Sequence, residues 1–242
     1  MEKKRLDILI TLKGLCSSRQ QAQRLIGAGG VSVAGRIIKK AAYPVDWEEE
    51  IRIIEPERYV GRGGYKLEAA IREFGIPVEG ITAMDIGSST GGFSDCLLGL
   101  GARRIIAVDV GHYQMAEKLR RDPRIELHED TDIRSLGSIS DRPDLIVMDL
   151  SFISLRLVLP HVVQYSQAGR TRVIALIKPQ FECGRPGLVK KGIIRNERLR
   201  HRIVQDLLEW IQAQHWKVHG LIPSPIAGGD GNIEYLVDLS LT

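Results

Sequence analysis

A glycine-rich stretch, Met84-Asp85-Ile86-Gly87-Ser88-Ser89-Thr90-Gly91-Gly92-Phe93, joins an apolar run to a helical one. Where side chains are missing, a ligand can approach the backbone, and the N–H groups opening the following helix face an anion such as a carboxylate. The spacing differs from the GxGxxG of dinucleotide loops. Asp109 ends the next apolar run, 24 residues beyond Asp85, where a carboxylate suits the hydroxyls of a ribose. Turn and acid together point to a nucleoside cofactor. The plainer alternative is a tight strand-to-helix turn with Asp109 solvated.

Four more charged residues stand in apolar surroundings. Asp149 closes DLIVMDL and Lys178 closes RVIALIK, Lys66 lies in GGYKLE at a helix start, and Glu234 sits early in IEYLVDL. A charge in an apolar run needs a partner or a task, and the carboxyl ends of parallel strands are where open α/β sheets bind ligands. Their plainer readings are a helix cap for Asp149, a snorkelling strand end for Lys178, a solvated helix residue for Lys66 and an edge-strand residue for Glu234. Phe152, Phe181 and Tyr235 lie nearby and could stack on a base or pack in the core. The six histidines are scattered without metal-ligand spacing. Cys16, Cys96 and Cys183 are an odd, widely spaced trio that reads as buried thiols rather than a disulfide or zinc framework.

The elements that must hold these residues follow from periodicity. After a helical run from Lys66 to Gly75, strand-like and helical runs alternate: ITAMDI, GGFSDCLLGLG, RIIAVDV, QMAEKLR, IELHED, DLIVMDL, LRLVLPHVVQY, RVIALIK, and a long amphipathic stretch over 197–214. This alternation predicts a doubly wound, mostly parallel sheet. VHGLI and IEYLVDL follow each other with no helix between, so one of them must be antiparallel.

The chain has 242 residues, 43% hydrophobic and 26% charged, within the range of ordinary globular proteins. No window approaches the ~18 apolar residues of a membrane span, and the first residues lack the apolar core of a leader, so a cytoplasmic protein is expected. The first 45 residues hold nine basic and two acidic side chains, whereas everything after Arg62 balances. A basic segment on a neutral body suggests a polyanion-binding module. Leu6, Leu9 and Ile10 share a helical face. Ser17 with Gln20 reads as a capping box opening a second helix, and strands are expected at 31–33, 37–38 and 51–54, with a turn at Ala34-Gly35. The domains are expected at residues 1–57 and 65–242, with 58–64, rich in glycine, as linker.

RLDILI…GLCSSRQQAQRLIGAGGVSVAGRIIKK resembles the S4-like RNA-binding domain, departing at Ala34, where that family has Asn before Gly. DIGSSTGGFSDCLL…AVDVGHYQ…DLIVMDLSFISL…LIKPQFECGR…GLIPSPIAGGDGNIEYL resembles the hemolysin-A-like (TlyA) ribosomal RNA methyltransferases, whose second domain is similar to the FtsJ (RrmJ) ribose methyltransferases. The resemblance implies a Rossmann-like α/β methyltransferase with a seven-stranded sheet behind a small α+β RNA-binding domain. It also implies S-adenosylmethionine as cofactor, held by Asp85, Gly87, Ser88, Ser89, Thr90, Gly91, Gly92, Phe93, Asp109, Val110, Asp132, Ile133 and Asp149. Lys66, Asp149, Lys178 and Glu234 then match the superfamily's Lys-Asp-Lys-Glu set, with Lys178 as base or orienter of a ribose hydroxyl, Asp149 and Lys66 tuning it, and Glu234 holding Lys66 or the ribose.

The implied reaction is 2′-O-methylation of cytidine in ribosomal RNA of the small and, for some members, the large subunit. The partners are ribosomal RNA or ribosomal subunits, with no metal and no membrane. Arg5, Arg19, Arg24, Arg36, Lys39 and Lys40, with Lys190, Lys191 and Arg195 of the second domain, are the candidate RNA contacts. An RNA-binding protein with an inactive methyltransferase fold and a membrane-active hemolysin are the alternatives. A pseudouridine synthase with the same N-terminal domain would not need DIGSSTGG and Asp109.

Overall fold

The computed structural model describes residues 3–54, 58–139, 141–184 and 192–242. The chain forms two compact units, Met1–Arg58 and Tyr59–Thr242.

In the first unit, helices α1 (Leu6–Leu12) and α2 (Arg19–Gly27) bury Leu6, Leu9, Ile10, Ala22 and Ile26 against Val31, Val33 and Val45. A small sheet, β3-β2-β5, is built from β2 (Val31–Val33), β3 (Arg36–Ile37) and β5 (Ile51–Ile53), and a two-residue β1 (Lys4–Arg5) pairs with β4 (Pro44–Val45). The cap of α2 lies one residue beyond the expected Ser17. Ser18 Oγ accepts from Gln21 N at 3.2 Å, and the Gln21 side chain reaches back to accept from Ser17 N. Ser18 is therefore the cap, because its extended backbone aims its oxygen at the first turn, while the return bond of Gln21 goes to Ser17, one residue ahead of the cap.

The β2–β3 turn places Ala34 at φ +47° ahead of Gly35 at φ +78°. A left-handed conformation costs an L-residue about 1–2 kcal/mol, less for Asn, whose short side chain bonds locally. Ala34→Asn is therefore expected to stabilise this hairpin by about 0.5–1 kcal/mol, read as slower amide exchange at residues 31–33 and 51–53.

The second unit is a seven-stranded sheet of order β11-β12-β10-β9-β6-β7-β8. Its strands are β6 (Thr82–Ile86), β7 (Arg104–Val108), β8 (Ile125–His128), β9 (Leu145–Met148), β10 (Arg172–Ile177), β11 (Trp216–Pro223) and β12 (Tyr235–Leu241). β6 through β10 run parallel, and β12 is antiparallel to both its neighbours, the expected single reversal. Period-two alternation splits the strand residues between two cores. Met84, Ile86, Ile146, Met148, Val173 and Ala175 join the layer with α6 (Leu155–Val162) and α8 (Glu197–Ala213). Ala83, Val147, Ile174 and Leu176 join the opposite layer with α3 (Gly63–Phe74), α4 (Gly92–Gly99) and Leu119 of α5 (Glu117–Arg120). A four-residue helix α7 (Pro179–Glu182) follows β10.

Residues 59–64, read from sequence as linker, are built into the second unit. Tyr59 is buried in its core, Val60 N donates to Asp95 Oδ2 at 2.8 Å, and α3 has begun by Gly63. The glycines that suggested a flexible joint are there for packing: a Cβ on Gly64 would lie 2.3 Å from the Tyr59 ring.

Candidate active site

Strand order reverses between β6 and β9, so the crevice at their carboxyl ends is a topological switch point. Gly87 leaves β6 at φ +81°, and a Cβ there would lie 2.6 Å from the carbonyl oxygen of Asp149, the first residue after β9. Only glycine lets the two strand ends meet this closely. Gly91 serves packing in the same way: it caps α4 at φ +92°, and a Cβ would run into Leu119 at 2.3 Å. Asp85 lies behind the turn, fully buried, accepting from Ser94 Oγ at 2.7 Å. Burial pushes its carboxyl up to about 7, against the bond from Ser94.

A cavity of about 500 Å³ opens at this edge, lined by Gly87, Ser89, Asp109, Val110, Gln114, Asp132, Ile133, Asp149, Ser151 and Phe152, among others. Asp109 accepts from Ser89 N (2.8 Å) and Gly111 N (2.7 Å), one bond to each oxygen, which leaves acceptor capacity for further donors. Glu129 fixes the loop beyond it, accepting from the backbone N–H groups of Tyr113, Gln114 and Met115. The Arg120 guanidinium, with those N–H groups, holds the Glu129 carboxyl down at about 2. Ser88 Oγ is buried with no hydrogen-bond partner among the described residues, an orphan that a polar ligand would satisfy.

The residues fit a nucleoside cofactor such as S-adenosylmethionine: a spare ribose-type acceptor at Asp109, an unsatisfied hydroxyl at Ser88, and apolar walls from Val110 and Ile133. Of the residues expected from sequence, Asp85 and Gly91 line neither this cavity nor its neighbour, and Ser88, Thr90, Gly92 and Phe93 line only the neighbouring one. Asp109→Ala is expected to weaken S-adenosylmethionine binding by about 1.5–3 kcal/mol in calorimetry, the worth of a charge-assisted bond. Unchanged affinity would remove Asp109 from the site.

That neighbouring cleft, about 180 Å³, is lined by Gly61, Arg62, Gly63, Ser88, Thr90, Phe93 and Lys178, while Gly87, Ser89, Asp149 and Ser151 line both spaces. Lys178, directly after β10, places Nζ 2.7 Å from Asp149 Oδ1 and donates to Ser151 Oγ at 2.8 Å. The contact with Asp149 is an ion pair off the hydrogen-bond direction, and Oδ1 is left buried without an aligned donor.

Lys66 and Glu234 form a second pair, Nζ to Oε2 2.5 Å, with both side chains buried. Glu234 stands immediately before β12 rather than within it. The first turn of α3, which carries Lys66, approaches Asp149 where a Cβ on Gly63 would be 3.7 Å from Oδ2. Ser151 escaped the sequence reading because one serine in a loop carries no signal of its own.

The three aromatics separate. Phe152 is 90% exposed, has φ +64°, and lies 5.1 Å from Phe181, centroid to centroid. Tyr235 is buried and accepts from Arg200 Nε at 3.0 Å.

In the N-terminal unit, Arg24, Arg36, Lys39 and Lys40 are exposed and pair with no carboxylate among the described residues. Arg5 and Arg19 instead both bind the fully buried Asp7, joined by Gln23. Arg5 above all, then Gln23 and Arg19, holds the Asp7 carboxyl far below the usual range. Arg195 is exposed, and Lys190 and Lys191 lie outside the described residues.

Residues 59–241 match the FtsJ-like methyltransferase family and residues 4–51 the S4 domain. The chain is 40% identical over 237 residues to the 16S/23S rRNA (cytidine-2′-O)-methyltransferase TlyA of Mycobacterium tuberculosis, covering 96% of this chain and 88% of that protein. It is 40% identical over 236 residues to Hemolysin A of Brachyspira hyodysenteriae, covering 96% and 98%. A solved structure from Streptococcus thermophilus, described as a hemolysin, superposes with a TM-score of 0.75 at 38% identity, covering 100% of this chain and 90% of that one. With its glycine turn, strand-end acid and paired lysines and carboxylates on one sheet edge, the chain belongs to the FtsJ-like methyltransferase family and carries an S4 domain ahead of the enzyme fold.

Proposed function

We propose that the protein methylates the 2′-hydroxyl of cytidine in ribosomal RNA of the small subunit, and of the large subunit as a further target, using S-adenosylmethionine in the cytoplasm. The observation that carries this reading is the placement of Lys178, Asp149 and Ser151: one ion pair and one hydrogen bond at the junction of a nucleoside-sized cavity and a small polar cleft. When bound, S-adenosylmethionine supplies a methyl carbon on a positively charged sulfur.

Such a transfer is governed by alignment more than by an oxyanion hole. Charge-paired with Asp149, Lys178 stays an ammonium that acts through its N–H bonds, one of which is given to Ser151 Oγ. A remaining N–H of the same ammonium orients the ribose hydroxyl. The hydroxyl proton becomes acidic as its oxygen is alkylated, and the partly exposed Asp149 carboxylate beside Lys178 receives it. Lys66 and Glu234 anchor α3 to the start of β12 beside this group. Phe152, exposed in a left-handed turn on the cavity rim, offers a face for the target base. S-adenosylmethionine binding followed by methyl transfer to ribosomal subunits tests the reading. An RNA-binding protein with an inactive fold would give no transfer.

The S4 unit supplies RNA affinity in this reading. Replacing Arg24, Lys39 and Lys40 with glutamine is expected to reduce the slope of log affinity against log salt by roughly 2–3, at about 0.7–0.9 per phosphate contact. Arg5 and Arg19 are left out because Asp7 already holds them. An unchanged slope would place the phosphate contacts elsewhere, with Arg195 the next residue to replace.

A further inference from the structure

Two loops carry the groups that meet at Lys178. The segment after β9 holds Asp149, Ser151 and Phe152, and the segment after β10 holds Lys178, Phe181 and Glu182. Strand pairing holds Asp149 and Lys178 where they leave β9 and β10, but direct β9–β10 pairing ends at Met148 and Ala175, so beyond that the two segments are joined by side chains. Glu182 ties them together: Oε2 accepts from Ser154 Oγ at 2.5 Å and Oε1 from Leu155 N at 2.8 Å. Phe181, its neighbour, packs on Phe152 across the same gap.

The capping need of α6 accounts for only one of the two bonds this carboxylate accepts. Ser154 caps that helix, accepting from Arg156 N at 3.1 Å, and Glu182 takes the Leu155 N–H of the same turn, so its bond from Ser154 Oγ is the one that capping does not require. Glu182 stays inside at a desolvation cost, and burial pushes its carboxyl above the ordinary value despite the two bonds it accepts. A half-buried acid that spans two loops, four residues from Lys178 on one side and, through Ser154, three from Ser151 on the other, is placed to set their separation.

We propose that Glu182 is a positioning residue for methyl transfer: it clamps the β9–α6 loop to the β10–α7 turn, and so holds Asp149 and Ser151 at bonding distance from Lys178. The inference rests on the ribose methyltransferase reading above. Glu182 touches neither substrate nor cofactor in this role. It acts through Ser154 and Leu155, and its effect belongs in the chemical step, where misplacement of reacting groups by about 1 Å costs on the order of 100-fold.

The full-length chain is assayed with S-adenosylmethionine and unmodified ribosomal subunits. Glu182→Ala is expected to lower kcat ~10- to 100-fold, with KM for the subunits and Kd for S-adenosylmethionine each within about threefold of wild type, the scatter expected of a group that touches neither ligand. Glu182→Gln, which keeps an oxygen for Leu155 N and an amide for Ser154, is expected to restore most of the rate. If Glu182→Ala does not fold, Ser154→Ala removes one of the two bonds and is expected to reduce kcat several-fold with KM unchanged. A Glu182→Ala kcat within twofold of wild type would overturn the inference, as would a loss confined to KM or Kd, or a Glu182→Gln enzyme as slow as Glu182→Ala. Absence of methyl transfer by the wild-type chain would overturn the underlying reading and this inference with it.

Discussion

Lys178→Ala is expected to fold, bind S-adenosylmethionine with wild-type affinity, and lose at least ~100-fold in single-turnover methyl transfer, the scale of losing a group that orients the reacting hydroxyl. Nζ is the atom that meets both Asp149 Oδ1 and Ser151 Oγ, so its loss releases the oriented donor and leaves Asp149 without a countercharge. Lys178→Arg recovers little of this. A planar guanidinium keeps the charge, but its fixed fork cannot reproduce a compact ammonium seated between a carboxylate and a hydroxyl. A Lys178→Ala enzyme with near wild-type single-turnover rate would take the residue out of the reaction.

The second large effect is on stability. Glu234→Ala leaves Lys66 buried, its side chain 9% exposed, without the carboxylate 2.5 Å from its Nζ. Removing one partner of a buried pair costs about 3–5 kcal/mol, more than the pair itself contributes, because the surviving charge stays desolvated. Glu234→Gln keeps an acceptor and loses less. The double replacement Lys66→Met with Glu234→Leu is expected to regain most of the stability in urea unfolding while staying inactive, which separates folding from chemistry. A loss below about 1 kcal/mol for Glu234→Ala would mean that water reaches the pair.

The sheet was legible because its strands are buried on both faces. Runs such as LIVM and VIALI are apolar throughout, and their alternation with amphipathic stretches dictates a parallel, doubly wound order. The site was legible where a charge interrupts such a run, as at Asp149 and Lys178. It was less so where geometry depends on loops.

Ser151 and Glu182 gain their roles from two segments 27 residues apart brought together by β9 and β10, which no local pattern announces. Residues 59–64 were misread because glycine marks close packing as readily as flexibility, and the Tyr59 ring occupies the space a Gly64 side chain would need. Arg5 and Arg19 read as RNA contacts because one acid, Asp7, buried beneath them, does not alter the local charge count enough to show that both are already engaged.

Ribosomal subunits lacking ribose methylation, incubated with S-adenosylmethionine and either the wild-type chain or Lys178→Ala, can be digested and their nucleosides mapped by mass spectrometry. The expected result is 2′-O-methylcytidine at a defined position with the wild-type chain and almost none with the variant. A methyl group on a base, on a nucleoside other than cytidine, or in equal yield with both proteins would contradict the assignment of this site to cytidine ribose methylation.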